Sequence, residues 1–557
     1  MNVRIPRRAV LGLGPVALAS CTRREPYFGK STPPRSQTLI YDLGGEPGSL
    51  DPTTSNGGTE YNVWPALLEP LLSRHPESME PAAGLATHYE MDAGRTEITF
   101  FLRGHRSPSG SKLFGAPAKS EAALWSDGRP VTAHDVVWSW QRILDPVNGG
   151  SPGFSQLANA REINEGKAKP ETLGAVADGP YTLRVTLRAP AAHFFKLVTS
   201  EWLSPVPRHA VEKHGDAWTR PGLMPSCGPF LLHEWKPYER IVLRKNPRYH
   251  AAGSVRLDEI RFLPVVDGAT GVNLYKAGDV YTMHGRAVPP LWIPALRGRR
   301  DFYSTPAYRS LFYAFNTTKP PFDNVLVRYA FQMATNTQAV ARFLEGGQTP
   351  ARTVIPLFGG YPGIHSLLVE AGGRVWDVLS HDPPAARELL RMAKAEGLSV
   401  DLTFPNRTRS KEIAEILQAQ WQANLGVRVN LMMVETTVWG QMSPDSYRGI
   451  MESGVGADYA DPNGIFDQFT GRVDGSGWID PAFDQLLDAA NAEFDATVRM
   501  RKLAACEERL LRAMPVLPLF FDSYCYLEKP FVGGLTKNVL GVPQFKTAWI
   551  DTNWRPQ

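Results

Sequence analysis

The residue types that most often perform catalysis or bind metals are scattered along this sequence. It contains no phosphate-binding loop, no His-Glu-x-x-His helix and no paired Cys-x-x-Cys motif. The twelve histidines form no cluster, since His134 falls in the first turn of a predicted helix and His284 in a glycine-flanked loop. The sequence therefore predicts no enzymatic site, no metal site and no cofactor.

One cysteine, Cys21, lies in a pattern that marks lipid attachment. Residues 18–21 (Leu-Ala-Ser-Cys) resemble a bacterial lipobox, in which small residues admit a peptidase and the cysteine thiol receives diacylglycerol. We therefore expect Cys21 to be lipidated and to become the mature N-terminus. In an exported chain one pair among Cys227, Cys506 and Cys525 can oxidise, and their spacing does not say which.

The residues before Cys21 have the composition of a signal peptide. Arg4, Arg7 and Arg8 form a basic stretch, followed by an apolar run over residues 9–19. This run is about half as long as the roughly twenty residues that span a bilayer. Residues 1–20 are thus predicted to be a signal peptide that is removed on export to the cell envelope or periplasm.

The export route and the segment that follows the signal are less sharply defined. Residues 6–11 resemble a twin-arginine motif, but Pro6 and Val10 depart from it, so twin-arginine and general secretory export both stay open. Residues 21–37 are polar and contain prolines, without an apolar period. They are predicted to form a lipidated tether that lifts a soluble body off the membrane.

Composition limits the class of protein. A chain of 557 residues is long enough for about three to four domains. The net charge of +4 includes three arginines of the signal, so the rest is nearly neutral, which argues against nucleic-acid binding. Hydrophobic content of 43% and charged content of 21% argue against both disorder and a multi-span membrane protein.

Periodicity predicts the elements of the first half of the chain. Residues 38–43 have strand composition, and residues 96–103 and 181–187 alternate as strands with one buried face. Thr132 is placed to cap a helix that ends before Pro146. The stretch at 106–121, rich in Ser, Gly and Pro, is predicted to be a surface insertion.

The second half of the chain has the pattern of a separate α/β unit. Residues 400–404 are a short predicted strand, followed by a helix that Ser410 is placed to cap. Residues 427–431 are the returning strand. This β-α-β spacing requires a right-handed crossover between parallel strands.

Several blocks of the chain resemble one protein family. They are residues 46–52 (EPGSLDP), 125–140 (WSDGRPVTAHDVVWSW), 240–249 (RIVLRKNPRY) and 456–462 (GADYADP). In this order they resemble the family 5 solute-binding lipoproteins of ABC transporters, most closely the oligopeptide-binding type, over about residues 38–557. The resemblance implies that the protein is not an enzyme.

The resemblance also implies an architecture. It is an α/β fold of the periplasmic-binding-protein type II-like class, in which two lobes surround a ligand cleft. An extra domain brings the number of domains to three. Both chain termini belong to domain I, which is discontinuous. Domain I is expected to comprise the three segments 38–68, 191–308 and 528–557. Domain II is expected at 69–190 and domain III at 309–527.

The resemblance carries a set of ligand-binding residues onto this chain. In the resembling proteins, the Asp of an Ala-Asp-Tyr motif pairs with the peptide's α-ammonium, and here that position is Asp458. Backbone groups are expected from two walls of the cleft to pair with an extended peptide. The backbone positions are Gly454, Val455 and Gly456 on one wall and Gly57 and Gly58 on the other, and His284 completes the set.

Four positions depart from the family pattern or leave a role open. Glu452 stands where an arginine that binds the peptide carboxylate is expected, and Val455-Gly456 replaces Trp-Cys. Two interpretations of Glu452 stay open, selection of a basic group on the ligand or a position away from it. Trp138 replaces a family tyrosine and lines either the cleft or the core.

The expected function is capture of peptides by a monomeric, lipid-anchored receptor that delivers them to an ABC permease and ATPase complex. Three other ligands of the same fold class stay open, namely a murein peptide, a sugar oligomer and a nickel chelate. A secreted hydrolase is the alternative from a different class. Nucleic acid is not an expected partner.

Overall fold

The computed structural model describes residues 26–55, 58–106, 111–115, 120–149, 151–283, 285, 287–470 and 475–556. The predicted signal peptide and Cys21 lie outside the described residues, as do Gly57, His284 and some residues of the insertion predicted at 106–121. No helix among the described residues is long and apolar enough to cross a membrane.

Strands and helices both occur along the whole described chain, as expected of an α/β protein. In chain order, the strands within the described residues are β1 (Thr38–Asp42), β2 (Leu72–Arg74), β3 (Pro81–Ala83), β4 (Ala86–Met91), β5 (Glu97–Leu102), β6 (Lys112–Leu113), β7 (Ala175–Ala177), β8 (Thr182–Thr186), β9 (Phe230–Lys236), β10 (Arg240–Lys245), β11 (Glu259–Leu263), β12 (Thr282–Met283), β13 (Phe302–Phe315), β14 (Thr349–Pro350), β15 (Leu368–Ala371), β16 (Arg374–Asp377), β17 (Ser399–Pro405), β18 (Arg428–Val434), β19 (Ile450–Gly456), β20 (Val516–Glu528), β21 (Val532–Gly533) and β22 (Trp549–Ile550). The helices are α1 (Trp64–Leu67), α2 (Ala133–Leu144), α3 (Ala160–Asn164), α4 (Phe194–Leu197), α5 (Arg208–His214), α6 (Gly268–Ala277), α7 (Ile293–Leu296), α8 (Val325–Ala334), α9 (Thr337–Leu344), α10 (Pro383–Met392), α11 (Thr408–Leu425), α12 (Thr436–Trp439), α13 (Asn463–Phe466), α14 (Pro481–Asn491) and α15 (Ala496–Ala513).

One large sheet runs through most of the molecule. Its strand order is β18-β17-β19-β13-β20-β12-β1-β11-β10-β9, with β14 pairing beside β20. The antiparallel strands β13 and β20, of 14 and 13 residues, are long enough to reach across both halves of the sheet. They cover the predicted boundaries near 308 and 527, so two continuous strands connect the predicted domains.

Two large hydrophobic cores divide the chain into lobes. One core draws nearly all its residues from between Leu39 and Phe262 and from between Phe531 and Ile550, whereas the other lies between Tyr308 and Phe520. We use the name N-lobe for the described residues of 26–307 and 528–556, and C-lobe for those of 308–527. Five tryptophans are almost fully buried in these cores: Trp64, Trp125, Trp140, Trp218 and Trp421.

The alternating segments of the N-lobe form the predicted strands. A separate sheet of order β6-β4-β5-β8-β7 lies wholly within residues 69–190. In β8, Leu183 and Val185 are buried while Arg184 is exposed, as the two-residue period requires. Thr132 caps α2, since its hydroxyl accepts from Asp135 N at 3.4 Å and Asp135 accepts from Thr132 N at 2.8 Å.

The predicted β-α-β unit of the C-lobe is confirmed. Strands β17 and β18 are parallel and are connected by α11. Ser410, however, does not cap this helix, because α11 begins at Thr408, two residues earlier. The Ser410 hydroxyl instead donates to Glu452 Oε1 at 2.8 Å.

The three described cysteines are free thiols. Cys227, Cys506 and Cys525 are all buried and none is joined to another. Burial raises the pKa of each thiol above its ordinary value. The suggestion that one pair oxidises on export is therefore not met in this structure.

Residues 26–37 do not form the free tether that their composition suggested. Phe28 and Lys30 make backbone hydrogen bonds to the N-lobe, and Gln37 O accepts from Asp258 N at 2.9 Å. The Gln37 side chain also bonds to the backbone of Ile550 on both its oxygen and its nitrogen. Because both ends of residues 26–37 are hydrogen-bonded to the N-lobe, this segment is part of the folded body.

Candidate functional site

A cavity of about 490 Å³ lies where the two lobes meet. This volume falls in the range of ligand sites, which is about 300–1,000 Å³. The N-lobe contributes Gly58, Tyr61 and Arg74 among others, and the C-lobe contributes Arg309 and Asp458. We call this space the interlobe cavity.

Asp458 lies two residues beyond the end of β19 and lines the interlobe cavity. The Asp458 side chain keeps its solvent exposure toward the cavity, while the lining residues Arg74 and Glu201 lie close enough to interact with its charge. Burial raises the pKa of Asp458, Arg74 partly opposes that rise, and Glu201 adds to it. No described residue donates a hydrogen bond to this carboxylate, whereas Ser200 Oγ donates to its main-chain oxygen at 3.3 Å. The carboxylate is thus available to a cationic group in the cavity.

The end of β19 has an open backbone edge beside Asp458. On one side β19 pairs with β13, with Gly454 opposite Leu311 and Gly456 opposite Arg309. On the other side β17 pairs only as far as Met451. Beyond Met451 no described strand covers that edge, and Gly454 and Gly456 are exposed. An extended chain can therefore pair with this edge.

The charges that line the interlobe cavity are balanced. Arg74 and Glu201 form a buried ion pair with each other. Arg309 belongs to β13, the strand that pairs with β19, and lies 4.0 Å from Asp522. Two arginines, Arg74 and Arg309, and two carboxylates, Glu201 and Asp458, thus line one cavity, which suits a ligand that carries both signs of charge.

Six charged or aromatic lining residues were not predicted, namely Tyr61, Arg74, Glu201, Tyr308, Arg309 and Tyr524. Arg74 and Glu201 are far apart in sequence, and no local period or motif relates them. Arg309 falls in the middle of β13, where side chains alternate between the two faces of a sheet. The sequence feature that could have indicated Arg309 is the long strand that ends at Phe315, because Arg309 is a charged residue within it.

The lobes also touch each other beside the cavity. Lys196 Nζ donates to Ala460 O at 3.3 Å and lies 3.8 Å from Asp461 in the C-lobe and 3.1 Å from Glu80 in the N-lobe. Ala192 N donates to Asn491 O at 2.8 Å. These contacts fix the position of residues 458–461 relative to the opposite wall.

Glu452 does not line the interlobe cavity. It is 6% exposed, and its carboxylate accepts hydrogen bonds from Ser410 Oγ at 2.8 Å and from Tyr313 OH at 3.3 Å. Burial raises its pKa, while these hydrogen bonds and the nearby Arg407 and Arg409 oppose the rise. The sequence left open whether Glu452 selects a basic group on the ligand or lies away from the ligand, and the geometry favours the second interpretation.

Two other predicted residues also point away from the cavity. Val455 alternates with its glycine neighbours, so its side chain packs in the C-lobe core and only its backbone belongs to the β19 edge. Trp138 is half-buried against the N-lobe core, where its ring lies under the guanidinium groups of Arg142 and Arg208 at 5.9 and 5.8 Å. Of the predicted residues that the structure describes, Asp458, Gly456 and Gly58 line the cavity.

Within the described residues, no three His, Cys, Asp or Glu side chains are arranged to hold a metal ion. The site consists instead of a cavity between two lobes, an exposed strand edge and charges of both signs. These features define a class of protein that encloses a small ligand between two lobes.

Comparison with known proteins identifies the family. The family model for bacterial extracellular solute-binding proteins, family 5, matches residues 121–477. The chain is 31% identical over 515 residues to the periplasmic oligopeptide-binding protein OppA of Salmonella typhimurium, covering 90% of each chain. The chain belongs to family 5 of the bacterial extracellular solute-binding proteins.

Solved structures agree with this assignment. The murein tripeptide binding protein MppA of Escherichia coli is similar with a TM-score of 0.75 and 26% identity, over 93% of this chain and 99% of that one. OppA of Haemophilus influenzae in complex with the peptide RPPGFSPFR is similar with a TM-score of 0.74 and 26% identity, over 93% of this chain and 100% of that one. The predicted α/β fold of the periplasmic-binding-protein type II-like class is confirmed.

Proposed function

We propose that this protein captures peptides in the interlobe cavity and delivers them to an ABC-transporter permease. The observation that carries the proposal is the Asp458 carboxylate, which faces the cavity beside an open strand edge. A peptide offers an α-ammonium that can pair with the Asp458 carboxylate and a main chain that can pair with the strand edge. Relatives whose names state that they bind oligopeptides and murein tripeptides support the same ligand class.

The proposed binding mode uses groups that every peptide possesses. The α-ammonium pairs with Asp458, and the peptide main chain pairs with the β19 edge at Gly454 and Gly456 and with the backbone of Gly58 opposite. Each neutral hydrogen bond contributes about 0.5–1.5 kcal/mol, and each bond to a charged group about 1.5–3 kcal/mol. A few such bonds suffice for micromolar affinity, so binding tolerates many side chains.

Arg309 is our candidate for the carboxylate end of the ligand. Glu452 occupies the family's arginine position but is buried, whereas Arg309 lines the cavity itself. A guanidinium can form two parallel hydrogen bonds with a carboxylate, which is the group that the C-terminus of a peptide presents.

The geometry argues against a hydrolase. Residues 149–153 (Gly-Gly-Ser-Pro-Gly) do have the spacing of a nucleophile elbow, which requires a strand before the serine and a helix after it. Here the described element that precedes Ser151 is the 3₁₀ helix Pro146–Asn148 and not a strand, and Ser151 does not line the interlobe cavity. We propose a binding protein without catalytic activity.

Mass spectrometry of the purified protein tests the proposed function. Protein purified without added ligand and then denatured should release intact peptides. Incubation with a mixture of peptides should enrich some of them on the protein without cleaving any. Cleaved products would support the hydrolase, while a released sugar oligomer or nickel chelate would replace the peptide by that ligand.

We further propose that the protein is exported and anchored to the membrane through a lipid on Cys21. Cys21→Ser removes the thiol that receives diacylglycerol, so this variant should move from the membrane fraction to the soluble fraction. Fractionation followed by immunoblotting measures the change, with Cys227→Ser as the control that should stay on the membrane. A Cys21→Ser protein that sediments with the membrane as wild type does would overturn the anchor.

A further inference from the structure

The first described residues are held firmly to the N-lobe. Phe28 N donates to both carboxylate oxygens of Asp301, at 3.0 and 2.9 Å, and Phe28 O accepts from Lys529 Nζ at 3.0 Å. Asp301 and Lys529 are both 0% exposed. A main-chain residue that is bonded at both ends to buried charges is fixed in place, because releasing it leaves those charges without these partners.

Neighbouring residues extend this attachment in both directions. Arg300 N donates to Pro26 O at 2.8 Å, and Lys30 N donates to Lys276 O at 2.9 Å. The Phe28 ring packs against Trp292, with ring centroids 6.0 Å apart. The backbone is therefore bound to the N-lobe from Pro26 onward.

This attachment shortens the connection between Cys21 and the folded body. An extended chain covers at most about 3.6 Å per residue, so the five steps from Cys21 to Pro26 reach about 18 Å. The tether expected from composition, which ended at residue 37, would reach about 60 Å on the same basis. A lipid on Cys21 would thus hold the surface around Pro26 close to the bilayer.

That surface carries an excess of positive charge. Its basic residues come from three segments that meet at residues 26–30. Leu291 is 89% exposed and precedes Trp292, which packs against Phe28 of that segment. Asp279 is a carboxylate near this group, while Asp301 is buried under Phe28. The basic residues are Lys30, Lys276, Arg297, Arg299 and Arg300, and Arg23 and Arg24 follow Cys21 in the sequence.

We propose that this surface, formed by Lys30, Lys276, Leu291, Arg299 and Arg300, rests on the anionic lipid bilayer to which Cys21 is anchored. The inference rests on the proposed lipid anchor. Near an anionic surface each Lys or Arg adds attraction, and an exposed leucine can enter the interface. Because the chain as a whole is nearly neutral, this cluster gives the body one preferred face toward the membrane.

Vesicle binding tests the surface without the lipid. A chain that begins at Thr22 retains every described residue and lacks both the signal peptide and Cys21. It should bind vesicles of equal parts phosphatidylglycerol and phosphatidylcholine, measured by cosedimentation, and should not bind vesicles of phosphatidylcholine alone. Added salt should weaken the binding, because it screens the attraction.

Paired substitutions locate the binding face. Lys276→Gln with Arg300→Gln should weaken vesicle binding roughly five-fold for each basic residue removed, and so about twenty-five-fold together. Arg428→Gln with Arg501→Gln removes the same charge from exposed positions of the C-lobe and should leave binding unchanged. Both variants should bind peptide in solution as wild type does.

Other outcomes would overturn the inference. Equal binding to both kinds of vesicle, no binding to either, or equal losses in the two paired variants would each exclude an anionic lipid surface as the partner. Binding that requires the permease in the vesicle would assign the face to a protein. Failure of peptide binding in wild type would instead refute the proposed function, so the two failures are distinguishable.

Discussion

Asp458→Ala should weaken the binding of a peptide with a free amino terminus by about thirty-fold to several-thousand-fold. The loss corresponds to about 2–5 kcal/mol, the typical cost of removing one member of a desolvated charge pair. The cost is large because the α-ammonium would stay in the cavity without its partner. Thermal unfolding of the empty protein should hardly change, because no described residue donates a hydrogen bond to the Asp458 carboxylate.

Calorimetric titration with a matched pair of peptides isolates the interaction. N-acetylation of the peptide should reduce its affinity for wild type severely and for Asp458→Ala only slightly, because the pair is already broken. Asp216→Ala, which removes an exposed aspartate outside the cavity, is the control and should behave as wild type does. If wild type binds acetylated and free peptides equally well, Asp458 does not contact the amino terminus.

The same interaction sets a pH dependence. Burial raises the pKa of Asp458 in the empty protein, and only the charged carboxylate pairs with an ammonium. Affinity should therefore fall as the pH drops through this raised pKa. It should also fall at high pH, where the α-amino group loses its proton near pH 8. Asp458→Ala should lose the acidic limb of this profile, since alanine does not titrate.

The features that sequence predicted correctly depend on residues that are close together in the chain. The cap of α2 needs only Thr132 and Asp135, and the alternation of β8 needs only five consecutive residues. The parallel pair β17 and β18 follows from the short crossover through α11. Such features are local, so periodicity and capping rules predict them.

The features that sequence did not predict depend on contacts between distant segments. Arg74 meets Glu201 only because the fold joins them, and Glu452 is withdrawn from the cavity because Ser410 and Tyr313 hold it in the core. The composition of residues 26–37 is that of a linker, yet buried Asp301 and Lys529 attach Phe28 to the body. No property of the polar segment itself indicates those partners.

Arg499→Leu should lower the free energy of unfolding by about 3–5 kcal/mol, because it leaves a buried carboxylate unpaired. Asp461 is 0% exposed, and Arg499 binds it with two hydrogen bonds of 2.6 and 2.7 Å. Although burial opposes ionisation, the Arg499 guanidinium holds the pKa of Asp461 below its ordinary value. Without Arg499, the nearest described cation is Lys196 at 3.8 Å.

Urea unfolding followed by tryptophan fluorescence measures this loss. Arg501→Leu, two residues along α15, replaces an exposed arginine and should change stability by no more than about 0.5 kcal/mol. Asp461→Asn combined with Arg499→Leu should cost less than the sum of the two single changes, because the unpaired charge is gone. Equal effects of Arg499→Leu and Arg501→Leu would show that the buried pair contributes nothing to stability.

The buried pair also bears on the ligand site, because Asp461 follows Asp458 by three residues. Asp461 Oδ1 accepts from Asn463 N at 3.0 Å, so the carboxylate that binds Arg499 also holds the turn after Asp458. Arg499→Leu should therefore weaken peptide binding as well as stability, at a temperature where the variant is still folded. Arg501→Leu should leave both unchanged. A destabilised Arg499→Leu protein that binds peptide with wild-type affinity would show that the position of Asp458 is set by the β19 edge and Ser200 and not by the ion pair.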